Sequence, residues 1–196
     1  MRTKSDATRK RVMVTAREVF REFGFEKSTM AEIATRLGGS KATLYRYFPN
    51  KEELFAATIV ETEQQNVPQM LALLDPTDSN VAGVLHRAGL AYARHITSKG
   101  VIAVTRMALS PGTDPKVSRA VYDRGPNLAN EAFSEFLDAV VSAGFIPPTD
   151  THIAALHLRA LLEAGCFEAV LFGVEPRLSL EQSAKAAVEA FMRLYG

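Results

Sequence analysis

Lys41-Ala42-Thr43-Leu44-Tyr45-Arg46-Tyr47 puts two cations and two phenols on seven consecutive residues, and Lys51 follows closely. At helical spacing Leu44 and Phe48 share one apolar face, which leaves Lys41, Ala42, Tyr45 and Arg46 on the opposite side with Thr43 and Tyr47 flanking them. That set of groups suits recognition of a nucleic acid. Lysine and arginine displace counterions from phosphates and hydrogen-bond guanine O6/N7, and a small methyl can meet thymine. Lys41 is the best candidate for a guanine contact and Ala42 for a thymine methyl. Tyr45, Tyr47 and Lys51 suit phosphates, and Arg46 suits either. A second reading packs Tyr45 and Tyr47 against the preceding helix, and a tyrosine can do both, since its ring packs while its hydroxyl reaches out.

Charge is distributed accordingly. Residues 1–51 hold 12 Lys/Arg against 5 Asp/Glu, whereas residues 52–196 hold 11 against 17, although the whole chain carries only +1. A basic end on an acidic chain is the electrostatic footprint of phosphate binding. Arg2, Lys4, Arg9 and Lys10 form a basic arm that either follows the DNA backbone or minor groove or stays disordered.

Other chemistry finds little footing. His152 and His157 are five apart, on different faces of a helix, which is poor spacing for metal ligands. Cys166 is the single cysteine, so no intramolecular disulfide can form, and it has no adjacent cation to activate it. Neither a glycine-rich phosphate loop nor a serine-centred elbow is present. The chain reads as no enzyme, and it calls for no cofactor and no metal. No apolar run reaches the length of a membrane span, and Met1-Arg2-Thr3-Lys4 is not followed by a signal core, so the expected location is cytoplasmic.

The elements that position these groups are helices, since apolar spacing is helical nearly throughout and the fold class is all-α. A first helix covers about Ser5–Phe23, with Val12, Ala16, Val19, Phe20 and Phe23 as its stripe and Gly24 as its cap. Thr29 caps a second helix, with Glu32 placed for a capping box, and Ser40 caps the third. The third has Thr43 rather than an acid three residues on, as suits an end that faces phosphates. Pro49 precedes a fourth helix, capped by Asn50 with Glu53 and extending to about Leu74. Further helices are expected at about 78–98, 101–110, 115–124, 126–144, 149–172 and 179–195, punctuated at Gly100, Pro111-Gly112, Gly125-Pro126, Gly144 and Gly173. Ser179 and Gln182 repeat the capping-box pattern.

Helix, glycine turn and helix is the layout of a helix-turn-helix module, whose second helix enters the major groove. Thr29, Ile33, Ala34, Gly38, Ser40, Tyr45, Tyr47, Phe48, Asn50, Lys51 and Leu54 stand in the register of the TetR family's N-terminal pattern, and the chain resembles that family sharply over residues 8–55. The resemblance implies a helix-turn-helix DNA-binding domain at 5–55, with the motif at about 29–48. A helix 4 shared between domains would lead into a helical ligand-binding and dimerisation domain at 56–196. It supports Thr29, Ser40, Lys41, Ala42, Thr43, Tyr45, Arg46, Tyr47 and Lys51 as the DNA-facing set. Gly39, where the family usually has an apolar residue, and Ala42, where glycine is common, depart from the pattern and imply an altered operator. The order of Met107, Pro115, Tyr122, Gly125-Pro126 and Phe133 is loosely similar to the ligand domains of AcrR-type members.

Segment 149–172 has apolar residues around its whole circumference, including Ile153, Leu158, Leu162, Phe167 and Phe172, and 179–195 is rich in alanine. One stripe satisfies the monomer and the surplus, including Phe167, calls for a partner. A homodimer through these last two helices, helices 8 and 9 of the pattern, is therefore expected. Bulky groups at Met70, Tyr92, Met107, Tyr122, Phe133, Phe136 and Phe167 either fill the core or line an apolar cavity. His86, Arg106, Glu163 and Cys166 are the candidate polar contacts of such a cavity. The combined expectation is a repressor on double-stranded DNA, released from a near-palindromic operator by a small apolar or aromatic effector. The alternative is a DNA-binding structural or assembly protein without an effector.

Overall fold

The computed structural model describes residues 4–196, with the side chains of residues 4, 5, 26 and 59–66 outside the description. Arg2 and the side chain of Lys4, from the basic arm, therefore lie outside the described residues. α1 (Lys4–Lys27), α2 (Met30–Leu37) and α3 (Lys41–Tyr47) form an N-terminal head, and α4 (Lys51–Leu71) leads out of it. α5 (Val81–Ile96), α6 (Lys99–Ala108), α7 (Pro115–Tyr122), α8 (Leu128–Ser142), α9 (Thr151–Glu163), α10 (Phe167–Phe172) and α11 (Leu180–Tyr195) build the rest. Among the described residues there is no strand.

The head is set by its punctuation. Thr29 Oγ1 accepts the Glu32 amide at 3.1 Å, Ser40 Oγ the Thr43 amide at 3.2 Å and Asn50 Oδ1 the Glu53 amide at 2.7 Å, so α2, α3 and α4 each begin on a side-chain cap. The reciprocal half of the expected boxes differs. Glu32 lies 3.8 Å from Arg36, and the Glu53 carboxylate receives the Asn50 side-chain amide rather than the backbone. Gly38 closes α2 at φ 69°, the left-handed conformation that favours glycine. Gly24 has φ 77° with ψ 165°, which breaks α1 sharply before one more turn resumes to Lys27. Phe23 is not in the apolar stripe but 41% exposed, its ring under the Arg36 guanidinium at 5.5 Å.

Two apolar clusters divide the chain. The head cluster joins Val12, Val19, Phe20, Ile33, Leu44 and Phe55, and it also takes in Val104 and Met107 from α6. The body cluster joins α5, α8, α9 and α11 through Leu85, Phe133, Leu137, Leu158, Leu162 and Phe191. The expected boundary at 55/56 thus falls within α4, and α6, far along the chain, completes the head.

Three further expected helix boundaries differ. The segment 149–172 is two helices, since Gly165 adopts φ 81° and α9 ends at Glu163 with Ala164 as its cap. Gly125-Pro126 does not separate two helices. Asp123–Asn127 forms a π-helical turn that carries α7 into α8, and its wider spacing accommodates a proline that a regular helix interior would not. α4 ends at Leu71, three residues before the expected stop, after tolerating Pro68. Ser179 and Gln182 form the full capping box, Gln182 Oε1 accepting the Ser179 amide at 2.9 Å and Ser179 Oγ the Gln182 amide at 3.2 Å.

Candidate DNA-reading surface and body pocket

α3 is held by its buried side. Leu44 and Phe48 sink into the head cluster beside Ile33, Leu37 and Phe20, so Lys41, Ala42, Tyr45 and Arg46 are left exposed, as their spacing requires. Tyr45 is 48% exposed, which fits a side chain free to reach outward. Tyr47 is half-buried against the head cluster, and its hydroxyl accepts from Arg46 Nη2 at 3.1 Å while the Arg46 guanidinium covers its ring at 5.0 Å. Both expected roles of Tyr47 are thus compatible, packing with the ring and presenting the hydroxyl. Arg9 of α1 covers the Phe48 ring at 5.0 Å, bringing a further cation to the end of α3. Thr29, Ser40 and Thr43 lie at helix starts; Ser40 Oγ and Thr43 Oγ1 are 3.1 Å apart.

Lys51 points elsewhere. Its ammonium donates to the carbonyl oxygens of Phe25 at 2.9 Å and Ser28 at 3.2 Å and sits 4.2 Å from the Phe25 ring centroid. Phe25 packs on Phe55, which packs edge-on against Phe20. The cation satisfies carbonyls at the end of α1 and fixes the start of α4 against it. Arg36 ties the end of α2 to α1 by an ion pair instead, Nη1 donating to the Glu22 carboxylate at 2.5 Å.

In the body, Val67, Met70 and Leu71 of α4, Tyr92 and Ile96 of α5, and Val101 and Thr105 of α6 border a pocket of about 90 Å³. Arg124, Pro126 and Ala129 close one side, and Arg159, Glu163 and Phe167 another. Of the expected ligand contacts it brings together Met70, Tyr92, Glu163 and Phe167. Phe133 and Phe136 are buried in the body core, and Phe133 stacks edge-on with Tyr92 at 5.6 Å. Cys166 is wholly buried, its thiol directed at the Leu162 carbonyl oxygen 3.3 Å away, and burial raises its pKa above the ordinary thiol value. His86 lies 3.5 Å from the Glu181 carboxylate, on the outer side of α5. Tyr122 is 49% exposed. Met107 belongs to the head cluster, and Arg106 binds the end of α10. Phe167, expected on the surplus face of its helix, instead faces the pocket; from Thr151 onward the exposed large apolar groups are Ile153, Phe172 (77%), Val174, Leu178 and Leu194 (68%).

A polar network lies in the pocket wall. Tyr92 Oη donates to Glu163 Oε1 at 2.6 Å, Arg159 Nη1 reaches the same oxygen at 2.5 Å, and Arg159 Nε donates to Asn130 Oδ1 at 2.7 Å. Burial raises the Tyr92 phenol well above its usual pKa, and the neighbouring Glu163 carboxylate adds to that rise. Burial opposes the charge on Arg159, but Glu163 and Tyr92 together more than offset it and the pKa is raised overall. Arg159 and Asn130 were missed at the level of sequence. The four-residue spacing of Arg159 and Glu163 on one helix was the available signal. Among the described residues no group of three or more His, Cys, Asp or Glu side chains could hold a metal, and no helix is long and apolar enough to cross a membrane.

These features have counterparts in known proteins. The UidR transcriptional regulator of Escherichia coli strain K12 is 37% identical over 65 residues, so the chain covers about a third (33%) of that relative's length and the match 33% of this chain. The structure of a TetR-family transcriptional regulator from Mesorhizobium loti MAFF303099 superposes with TM-score 0.84 at 26% identity, covering 99% of both chains. The flavonoid-responsive regulator FrrA gives TM-score 0.70 at 26% identity over 96% of this chain and 97% of its own. Residues 12–58 match the model of bacterial regulatory proteins of the tetR family, and residues 83–196 match the C-terminal domain of AefR-like transcriptional repressors. With a helix-turn-helix head and more than half of its length matched by the second model, this chain belongs to the TetR family of DNA-binding transcriptional regulators.

Proposed function

We propose that this protein is a homodimeric repressor that sits on a near-palindromic operator and is released when a small, largely apolar molecule enters the body pocket. The observation that carries this reading is the position of α6. Val101 and Thr105 line the pocket, while Val104 and Met107, on the same ten-residue helix, are buried in the head cluster. Packed cores resist gradual deformation, so a ligand that shifts α6 repositions the head, provided it binds one arrangement better than the other.

In this reading Lys41 and Ala42 meet base edges, and Tyr45, Arg46, Tyr47, Thr29, Ser40 and Thr43 meet backbone or flanking bases. Lys51 positions α4 rather than reading DNA. The exposed apolar groups of α9, α10 and α11 (Ile153, Phe172 and Leu194) are the proposed dimer face, which places two heads about one turn of DNA, or a multiple of it, apart.

One observation favours the effector-free alternative, a DNA-binding assembly protein. At about 90 Å³ the pocket is below the usual size of a ligand site. Selection from random duplexes, followed by a screen of apolar compounds for both thermal stabilisation and operator release, separates the two. Compounds that do both establish the repressor. A selected operator that no compound in a broad apolar library releases establishes the alternative.

A further inference from the structure

The polar wall of the pocket defines the chemistry of its ligand, on the premise that the pocket is the effector site. Glu163 uses Oε1 for both Tyr92 and Arg159, and Arg159 uses Nη1 and Nε. Glu163 Oε2 therefore has no hydrogen-bond partner among the described residues, Arg159 Nη2 completes none of ordinary geometry although the guanidinium also interacts with Tyr92, and neither is a fully buried atom left unpaired, so both keep access to open space. One is a fixed acceptor and the other a fixed donor, on side chains four residues apart on α9.

Their charges cancel. A carboxylate ligand would bring a second anion beside Glu163 with one guanidinium to share, and a cationic ligand would confront Arg159 in the same way. Arg124, at the rim, is exposed, where water screens its attraction. A neutral group that both donates and accepts meets both free positions without an unpaired charge. Met70, Ile96, Val101 and Phe167 add apolar walls, and Thr105 and His95, whose side chain is itself partnered, border the pocket beside them. We propose that the pocket selects a neutral, mostly apolar molecule carrying one hydroxyl or carboxamide, which donates to Glu163 Oε2 and accepts from Arg159 Nη2.

The size of the cavity sets the scale. A cavity of about 150 Å³ takes benzene, so a single ring already requires this one to widen. The wall bounded at both ends by glycine breaks is α10, six residues between Gly165 at φ 81° and Gly173 at φ 79°, with Phe167 lining the pocket. Small probes are therefore the right first test.

Phenol, benzamide, benzoate, benzylammonium and toluene share one ring and differ in the group that meets the wall. Calorimetric titration of the full chain is expected to show phenol or benzamide binding at least about tenfold tighter than benzoate, benzylammonium or toluene. In Glu163→Gln, which keeps the shape and removes the anion, benzoate is expected to overtake phenol. Circular dichroism first establishes that the variant folds; if it does not, Arg159→Met carries the test, with benzylammonium expected to gain instead. Benzoate or benzylammonium binding the wild type as well as phenol does, or a ranking unchanged in the folded variant, overturns the proposal. Toluene equal to phenol overturns it too, while leaving an apolar effector site standing. If none of the five probes binds but a library compound releases the operator, the ligand class is wrong and the repressor reading survives. If no compound releases it, both fail.

Discussion

Arg106 on α6 donates from Nε to the carbonyl oxygen of Leu171, 65 residues away at the end of α10, at 2.9 Å. Nη2 of the same guanidinium reaches the Val170 carbonyl oxygen at 3.1 Å. Three parts of the proposed mechanism meet at this tie. α10 directs Phe167 at the pocket and ends at the exposed Phe172, and α6 ends in the head core. A cation on the last carbonyls of a helix also satisfies groups that otherwise depend on water. Arg106→Met, which keeps an aliphatic stem, is expected to lower stability by about 1 kcal/mol and to leave ligand-free operator affinity nearly unchanged. Its operator release by an effector should be blunted, because α10 can then move without α6. Anisotropy titrations with and without effector check this, and an undiminished response would exclude the tie as the route of coupling.

Lys41 and Lys51 are expected to separate cleanly. Lys41→Ala should relax preference at one operator position at a cost of about 1–3 kcal/mol, with no change in melting temperature. Lys51→Met should instead lower the melting temperature of the head, since the carbonyls of Phe25 and Ser28 lose their donor, with base preference retained. Selected consensus sequences and thermal melts of both variants decide the matter.

On the proposed dimer face, Phe172→Glu or Leu194→Glu is expected to give monomer with weak operator binding, because one half-site offers too few contacts. Phe167→Ala should leave the dimer intact and enlarge the pocket. Sedimentation of all three variants tests the assignment, and a monomeric Phe167→Ala protein would contradict it.

Cys166 offers a probe of opening. Thiolate is the reactive form, and burial holds this thiol protonated at a pH where an ordinary cysteine is already partly ionised. Since the folded value is raised, stability is unaffected below the unfolded thiol's pKa and falls as pH rises through it. A thiol reagent at mildly alkaline pH is expected to label the native protein only at its rate of opening, and to label the urea-unfolded chain at once. Rapid native labelling would show that the segment between α9 and α10 opens far more readily than its burial implies.

The reading head was legible because its determinants are local. Thr29, Gly38, Ser40 and Asn50 each fix a helix end within a few residues, and Leu44 and Phe48 select the buried side of α3 by spacing alone. The body was less so. Met107 has the periodicity of a buried residue, but periodicity names no neighbour, and its neighbours proved to be head residues far away in sequence. Phe167 read as surplus because a helix through Gly165 turns it outward, and the bend there redirects it. Lys51 read as a phosphate contact because its charge is visible in sequence, whereas the carbonyls that bind it depend on the break at Gly24.

The π-helical turn at Asp123–Asn127 has a mechanical consequence. Val121 packs on the head and Ala129 in the body, eight residues apart. A regular helix would set them about 80° apart around the axis, and one residue absorbed by the wide turn removes about 100°, returning them to within about 20° of a common line. α7 and α8 thus behave as one rod with a spare residue in its middle, its ends resting on head and body. Deleting Pro126 should turn that rod into uninterrupted helix without rotating either end, whereas a deletion within α8 would swing every later side chain out of its seat.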